Sequence, residues 1–206
     1  MDRKIIKQEA IDSLVGKRMM LLAIILLISL ISAGLMIIGI GIIIGPLLLV
    51  GLFYIVTDIL NKKEIDINRL KEPFKDLNYI FRVVLVYLLV GLIILVGTFL
   101  LIVPGVIFGL MFGQALFVIA EDKEISIIDA LKKSKEIMDG YKMDLFIFVL
   151  SFIGHFLLGI ITFGIYFLYF APYFQTALTN YYLHLTKQNL EEVEIVREAE
   201  FTDNTI

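Results

Sequence analysis

Three long stretches of this chain contain no charged residue, and they constrain the fold more than any other feature. They cover residues 19–57, 83–120 and 145–186, which are 39, 38 and 42 residues long. One helical crossing of a bilayer takes about 20 apolar residues. Each stretch therefore predicts two membrane-spanning helices joined as a hairpin, and we expect an all-α integral membrane bundle of six transmembrane helices. The alternative for any one stretch is a single tilted helix with a buried core segment.

Glycine and proline residues near the middle of each stretch predict the hairpin tips. Glycine allows a positive φ, and proline removes a backbone hydrogen-bond donor, so both favour a turn over a continuous helix. The predicted tip residues are Gly45, Pro46, Pro104, Gly105 and Gly164. The predicted spans are 19–38, 46–60, 80–102, 105–120, 144–162 and 165–185.

The distribution of positive charge predicts the orientation in the membrane. All 18 lysine and arginine residues lie in the N-terminal arm, the two segments between hairpins, or the tail. Because positive segments remain in the cytoplasm, we expect both termini to be cytoplasmic. The predicted organisation is a cytoplasmic arm (1–18), one membrane domain (19–185) and an acidic cytoplasmic tail (186–206).

The two segments between the hairpins combine apolar residues at helical spacing with exposed lysines. Such helices can lie flat at the membrane surface with their lysines among the lipid headgroups. We expect two cytoplasmic interfacial helices that contact anionic lipids through Lys71, Lys75, Lys132, Lys133 and Lys135. The alternative is a pair of connectors whose apolar faces pack on the helix bundle.

Similar sequences in corresponding places suggest that the hairpins repeat. Residues 63–67 read KEIDI, and residues 123–127, 60 positions later, read KEISI. Gly45, Gly105 and Gly164 are separated by 60 and 59 residues. A two-helix unit restores its own orientation, so the repeats would be parallel. The alternative is that both segments merely follow the same rule for starting a helix.

Glycines at four-residue spacing lie on the fourth predicted span, at Gly105, Gly109 and Gly113. Small residues let helix backbones approach closely within a membrane. We therefore expect this span to be the most enclosed one. The glycines are expected to serve packing within one chain rather than dimerisation.

Gln114, His155 and Gln175 are strong hydrogen-bonding side chains within the apolar stretches. Polar groups in the hydrocarbon face the protein interior or a wet cavity, and they often mark functional sites. We treat the three residues as a predicted intramembrane polar cluster. The alternative is that each makes an ordinary hydrogen bond between helices, worth about 0.6 kcal/mol.

The composition argues against several other classes of protein. The chain has no cysteine, which excludes disulfides and thiolate metal sites. The net charge of −3 gives no support to nucleic-acid binding. Catalytic and phosphate-binding motifs are absent from the sequence, and its two histidines, His155 and His184, fall on different predicted spans. We expect no enzymatic activity, cofactor or metal.

Short motifs across the second half of the chain resemble a known family. They are Pro104-Gly105, Ala130 through Ser134, Met138-x-Gly140, Ser151-Phe152-Ile153-Gly154, Leu157-Leu158, Thr162-x-Gly164 and Ala171-Pro172-Tyr173, with Gly45-Pro46 in the first half. This pattern resembles a bacterial membrane-protein family catalogued as domain of unknown function 975, over most of residues 20–185. That family is distantly similar to the membrane domain attached to some glycerophosphodiester phosphodiesterases. The resemblance implies a multi-pass protein of the bacterial cytoplasmic membrane and almost nothing about mechanism.

The leading hypothesis for function is a non-enzymatic accessory or lipid-interacting component of that membrane. Its expected partners are the lipid bilayer, anionic lipid headgroups, and a membrane protein or further copies of the chain. The alternative is a small transporter or channel with a central polar pathway.

Overall fold

The computed structural model describes residues 2–37 and 39–203, with side chains described as far as residue 189. Within these residues the regular structure is entirely helical, which confirms the predicted all-α class. One short element, Ile67–Phe74, is a 3₁₀ helix. The α-helices are α1 (Arg3–Ser13), α2 (Arg18–Ile37), α3 (Gly41–Leu60), α4 (Leu77–Leu100), α5 (Ile102–Phe112), α6 (Ala115–Glu121), α7 (Ile127–Ile137), α8 (Lys142–Leu150), α9 (Ile153–Ile161) and α10 (Ile165–Asp203).

Among the described residues, five helical segments are long and apolar enough to cross a membrane, as in a multi-pass membrane protein. They are α2, α3, α4, the α5–α6 pair and the α8–α9 pair. The sixth predicted span, 165–185, is helical within α10 but is not one of these five. Its tyrosines, Gln175 and Asn180 make this part of α10 more polar than the other spans. Length and composition therefore support five of the six predicted spans, and the sixth stays a prediction.

The first hairpin turns at Gly39 and not at the predicted tip, Gly45 and Pro46. Gly39 has a φ of +76°, a conformation that glycine adopts without steric cost. Since α3 begins at Gly41, Gly45 and Pro46 lie inside this helix, and the prediction of a tip there was wrong. Pro46 is the sixth residue of α3 and lacks the N–H that would bond to the carbonyl of Ile42. Membrane helices tolerate such a proline where neighbouring groups satisfy the freed carbonyl.

The second and third hairpins have very short turns. Leu101 alone separates α4 from α5, with an extended backbone. Pro104 lies in the first turn of α5, where backbone N–H groups have no partner inside the helix in any case. The N–H of Gly105 bonds to the carbonyl of Leu101 at 3.4 Å. The turn between α9 and α10 contains Phe163, with φ +50°, and Gly164, with φ +90°.

Two of the predicted spans are interrupted near their middle. The break between α5 and α6 falls at Gly113 and Gln114, and that between α8 and α9 falls at Ser151 and Phe152. In the second break the hydroxyl of Ser151 donates to a backbone carbonyl of the preceding turn. Hydroxyls that bond to the preceding turn compete with the helical ladder and bend helices. Both were predicted as single spans, 105–120 and 144–162.

The packed core lies toward the charged ends of the hairpins. In α4, Tyr79, Val83 and Val86 are buried, whereas Leu95 and Phe99 near the tip are 66% and 90% exposed. The same gradient runs along α2, where burial ends at Ile28. The hairpins therefore pack against one another at their charged ends and expose apolar side chains toward their tips.

The most enclosed span is α3, so the prediction that the fourth span would be most enclosed was wrong. About 61% of the apolar window of α3 is buried, against 28% for the α5–α6 pair. The reason lies in the neighbours, because α3 contacts α1, α2, α4, α6, α10 and the 3₁₀ helix. The glycines of α5 instead bring it close to a single partner, α4.

Both segments between the hairpins pack on the bundle with one face. The 3₁₀ helix buries Leu70 against Gly51 of α3. Similarly, α7 buries Ala130, Ser134 and Ile137, and it contacts α4, α5 and α6. These contacts are those expected of packed connectors, the alternative that the sequence left open.

The N-terminal arm contains a helix that the sequence analysis missed. The carboxylate of Asp2 caps α1 by accepting hydrogen bonds from the backbone N–H groups of Lys4 and Ile5. Ile6, Ala10 and Leu14 are buried, and α1 packs along α10. The four-residue spacing of these apolar residues was the signal that could have predicted it.

The predicted tail, 186–206, continues α10 without a break as far as Asp203. Residues 204–206 of this predicted tail lie outside the described residues.

Candidate functional site

The three polar residues predicted within the membrane are placed in different surroundings. Gln114 is 7% exposed, and its Oε1 atom is buried without a hydrogen-bond partner. The ring of His155 stacks on Phe170, with 4.9 Å between ring centroids. Gln175 is half-buried on α10. Among the described side chains no hydrogen bond joins any two of the three residues, so a shared polar site stays a prediction.

The three glycines of the fourth predicted span differ in how closely neighbouring atoms approach them. A Cβ atom on Gly105 would lie 2.8 Å from Cα of Thr98, so the close approach of α4 and α5 requires a glycine here. Gly109 is less crowded, because its nearest neighbour would be Cδ1 of Ile94 at 3.9 Å. Gly113 lies in the break that ends α5. The tight contact at Gly105 is made within one chain.

A buried polar contact holds α7 on this break. The hydroxyl of Ser134, on α7, donates to the carbonyl of Met111 over 2.8 Å. A break in a helix leaves carbonyls without their usual backbone partner, and such groups need another donor when buried. Ser134 supplies that donor, so the connector and the interrupted span stabilise each other.

An ion-pair cluster that the sequence analysis missed joins α3 to the 3₁₀ helix. The guanidinium of Arg69 donates two hydrogen bonds to the carboxylate of Asp58, at 2.6 and 3.1 Å, and one to Glu72 at 2.8 Å. Lys63 lies 3.5 Å from Asp58, and Lys123 lies 3.7 Å from Glu72. These carboxylates raise the pKa of Arg69 above its ordinary value. The cluster fixes the first connector at the charged end of the bundle.

Two tyrosine hydroxyls bond to carbonyls at the C-terminal end of α6. Tyr54 donates to the carbonyl of Ala120 at 3.0 Å, and Tyr79 donates to that of Ile119 at 2.9 Å. The two hydroxyl oxygens also lie 3.0 Å apart. The last carbonyls of a helix have no partner within it, so these tyrosines satisfy groups that would otherwise be unpaired.

Two further tyrosines, on α10, bond to carboxylates at the ends of neighbouring helices. Tyr182 donates to Glu121 at 2.7 Å, and Tyr181 donates to Asp144 at 3.0 Å. Tyrosine combines an apolar ring with a polar tip, which suits the boundary between hydrocarbon and water. These contacts tie α10 to the second and third hairpins at one level.

The helix α1 is held on α10 by a polar group around Glu9. The amide nitrogen of Asn180 donates to the carbonyl of Ile6 at 3.1 Å and to the carboxylate of Glu9 at 2.9 Å. His184 Nε2 lies 2.6 Å from the same carboxylate. Burial raises the pKa of Glu9, but the hydrogen bonds with Asn180 and His184 outweigh this effect and leave the pKa below its ordinary value.

The lysines of the connectors divide into paired and unpaired groups. Lys132 lies 3.6 Å from Asp129, with which it forms an ion pair. In the part of the chain that the structure describes, the other four predicted headgroup contacts make no ion pair: Lys71, Lys75, Lys133 and Lys135. Of these, only Lys133 is partly buried. Unpaired ammonium groups on the outer face of a packed connector are available to external anions.

A cleft opens between α1, the loop after it, the end of α3 and α10. Its volume is about 590 Å³, which is within the range of about 300–1,000 Å³ typical of small-molecule sites. Its lining residues are Glu9, Asp12, Ser13, Val15, Lys17, Ile59, Leu60, Lys62 and Asn180. No sequence pattern predicts this cleft, because it depends on the position of α1.

No group of three or more histidine, aspartate or glutamate residues is arranged to hold a metal ion within the described residues. Hydrogen bonds and ion pairs within the chain occupy the carboxylates of the clusters around Asp58 and Glu9. The geometry at the charged end therefore indicates polar contacts that hold helices together and a cleft bordered by charges.

The comparisons with known proteins add one finding. Residues 98–189, from the end of α4 into α10, match a family model described as "Protein of unknown function (DUF975)". No curated protein and no solved structure matches the chain. The family resemblance seen in the motifs is therefore supported over this segment. The likeness to the membrane domain of some glycerophosphodiester phosphodiesterases stays a prediction.

Proposed function

We propose that the chain is a non-enzymatic protein of the bacterial cytoplasmic membrane that binds anionic lipid headgroups at the cytoplasmic ends of its hairpins. Both termini lie in the cytoplasm in this proposal, and the connectors lie at headgroup level. The observation that carries it is the set of lysines without an ion pair among the described residues, on connectors that pack on the bundle with one face. Of these lysines, Lys71, Lys75 and Lys135 are exposed and Lys133 is partly buried.

The apolar surface supports a lipid environment for the hairpins. In four of the five apolar segments only 17–28% of the window is buried within the chain. Side chains toward the tips, such as Phe99 and Phe163, are 90% and 98% exposed. Soluble monomers rarely expose apolar patches on this scale, and lipid chains would cover them.

The charges support contact with anionic headgroups. A lysine near an anionic membrane surface contributes about 1 kcal/mol of attraction, which is roughly fivefold in lipid occupancy. A lysine that is already paired with a carboxylate of the chain attracts anionic headgroups less strongly, because the carboxylate neutralises part of its charge. Lys133 and Lys135 should therefore attract lipid more strongly than Lys132 and Lys142, whose partners are Asp129 and Asp139.

A pair of matched variants tests this proposal. The full chain would be reconstituted with phosphatidylglycerol and phosphatidylcholine, and the lipid retained after mild detergent extraction would be measured by native mass spectrometry. Replacing Lys133 and Lys135 with Gln should lower the retained phosphatidylglycerol by roughly fivefold or more. In the control, Lys132 and Lys142 are replaced by Gln, which removes the same amount of positive charge. The retained phosphatidylglycerol should then change by less than about twofold.

Salt provides an independent check on the same contacts. Because exposed charges are screened over about 8 Å at physiological ionic strength, the preference for phosphatidylglycerol should weaken as salt is raised. Equal losses in the two double variants, or a preference insensitive to salt, would count against specific headgroup contacts by the connectors.

A further inference from the structure

The cleft between α1, α3 and α10 contains groups that the proposed lipid contacts do not use. Two carboxylates, Glu9 and Asp12, lie on its α1 side. Two ammonium groups, Lys17 and Lys62, follow α1 and α3, respectively. The cleft thus has two charges of each sign in one cavity of about 590 Å³.

This balance of charge selects against simple ions. An anion alone would meet the two carboxylates, and a cation alone would meet the two ammonium groups, so like charges would oppose either one. A molecule that carries both charges a few bonds apart can pair with both sets. The charge pattern therefore favours a zwitterion.

Hydrogen bonds within the chain already occupy some of the charged groups that line the cleft. Glu9 is occupied by Asn180 and His184, and Lys17 Nζ donates to the carbonyl of Lys63 at 2.5 Å. Asp12 accepts one hydrogen bond, from Gln8 Nε2, and has further acceptor capacity. Within the residues described, Lys62 makes no ion pair. Asp12 and Lys62 are thus the two opposite charges free to meet a ligand.

The backbone at Lys62 forms the C-terminal cap of α3. Its φ is +60°, the left-handed conformation common directly after a helix end. The N–H of Lys62 bonds to the carbonyl of Ile59, and that of Lys63 bonds to the carbonyl of Asp58 at 2.9 Å. Here the turn carries Lys62 to the mouth of the cleft.

The apolar part of the lining indicates where the rest of the ligand would lie. Ile59 and Leu60 end α3, and Arg18, just beyond the cleft, begins α2. Val15, also in the lining, is 76% exposed. The cleft is therefore at the charged end of the first hairpin, with apolar surface directly beside its charges.

We propose that this cleft binds a phosphodiester joined to a primary ammonium group, as in the headgroup of phosphatidylethanolamine. Asp12 accepts hydrogen bonds from the ammonium group, Lys62 pairs with the phosphate, and Val15 and Leu60 contact the glycerol and upper acyl chains. The proposal rests on the proposed function, since it places the cleft at headgroup level. Soluble glycerophosphoethanolamine has the same chemistry and is the second source to be distinguished.

The choice between headgroups gives the sharpest test. The trimethylammonium of phosphatidylcholine has no N–H donor, so it cannot donate to Asp12, although its charge is the same. The full chain would be reconstituted in vesicles with equal amounts of phosphatidylethanolamine, phosphatidylcholine and phosphatidylglycerol. The lipids retained after mild detergent extraction would be identified by native mass spectrometry.

The expected result is a preference for phosphatidylethanolamine over phosphatidylcholine of about fivefold or more. The double variant Asp12→Ala with Lys62→Gln removes the acceptor and the ammonium group and should bring this ratio to about one. The control variant Asp139→Ala with Lys142→Gln removes an exposed ion pair elsewhere and should leave the ratio unchanged. Thermal unfolding of both variants in detergent would show that each is folded.

Adding soluble glycerophosphoethanolamine to the detergent-purified chain shows whether the ligand is a lipid headgroup or a free soluble molecule. Binding of the soluble compound that depends on Asp12 and Lys62 supports a free ligand, and retention of the lipid alone supports a headgroup. Equal retention of phosphatidylcholine and phosphatidylethanolamine by the native chain, or a preference that survives in the cleft variant, would overturn the proposal. If phosphatidylglycerol retention still depends on Lys133 and Lys135 in that case, the proposed function stands without the cleft.

Discussion

At the scale of single residues, paired charges determine how the charged ends of the hairpins are joined. The side chain of Asp58 is 8% exposed and accepts two hydrogen bonds from Arg69. A buried carboxylate is tolerated only when it is paired and hydrogen-bonded. By contrast, the side chain of Asp129, which pairs with Lys132 on α7, is 61% exposed. The two carboxylates should therefore differ strongly in their contribution to stability.

Replacing Asp58 with Asn should destabilise the protein by about 2 kcal/mol, because two charge-assisted hydrogen bonds to Arg69 are weakened. For a chain of this size the midpoint of thermal unfolding in detergent would fall by roughly 4–8 °C. The control Asp129→Asn breaks an exposed pair worth less than about 1 kcal/mol. Similar midpoints for the two variants would show that the Asp58 cluster does not hold the connector.

At the scale of elements, each connector is anchored on the helix that precedes it. The 3₁₀ helix folds back on α3 at Gly51, and α7 packs on the broken α5–α6 pair through Ser134. The equivalent behaviour of the two connectors agrees with the hairpin repeat, which stays a prediction. Close backbone contact at Gly51 is a requirement of this arrangement, since a Cβ atom there would lie 2.8 Å from Cα of Leu70.

The variant Gly51→Ala should therefore destabilise the protein by about 1–3 kcal/mol, because the 3₁₀ helix has to move away from α3. Gly91, in α4, is a matched control, since a Cβ atom there would meet nothing within 4 Å. Gly91→Ala should be neutral or stabilising by up to about 1 kcal/mol, as expected for a helix interior. Thermal unfolding of both variants in the same detergent would measure the difference, and equal effects would contradict close packing at Gly51.

At the scale of the whole molecule, the helical class and the approximate positions of five spans could be predicted from the sequence. The apolar stretches are long, and in lipid a helix lets each stretch make its backbone hydrogen bonds within itself. The tip at Gly45 and Pro46 was misplaced because glycine and proline favour a turn but are also tolerated within a continuous membrane helix. The enclosure of α3 could not be predicted, since it depends on which helices meet.

The candidate site was harder to predict from the sequence than the fold. The pairing of Asp58 with Arg69 and the cleft around Asp12 and Lys62 join residues from separate elements, so no local spacing predicts them. The position of the cleft depends on α1, whose short apolar pattern is weak beside the long hydrophobic stretches. The lysines of the connectors were predicted individually, but which of them are paired became known only from the structure.

The central claim is that the hairpins cross a membrane with all their charged ends in the cytoplasm. Because the chain has no cysteine, single cysteines can be introduced without background. Substitutions at Ile40, Val103 and Phe163, near the tips, should react with a membrane-impermeant maleimide added to intact cells. Substitutions at Lys71 and Lys135 should react only after lysis. Labelling of the connectors in intact cells, with protection of the tips, would contradict the account.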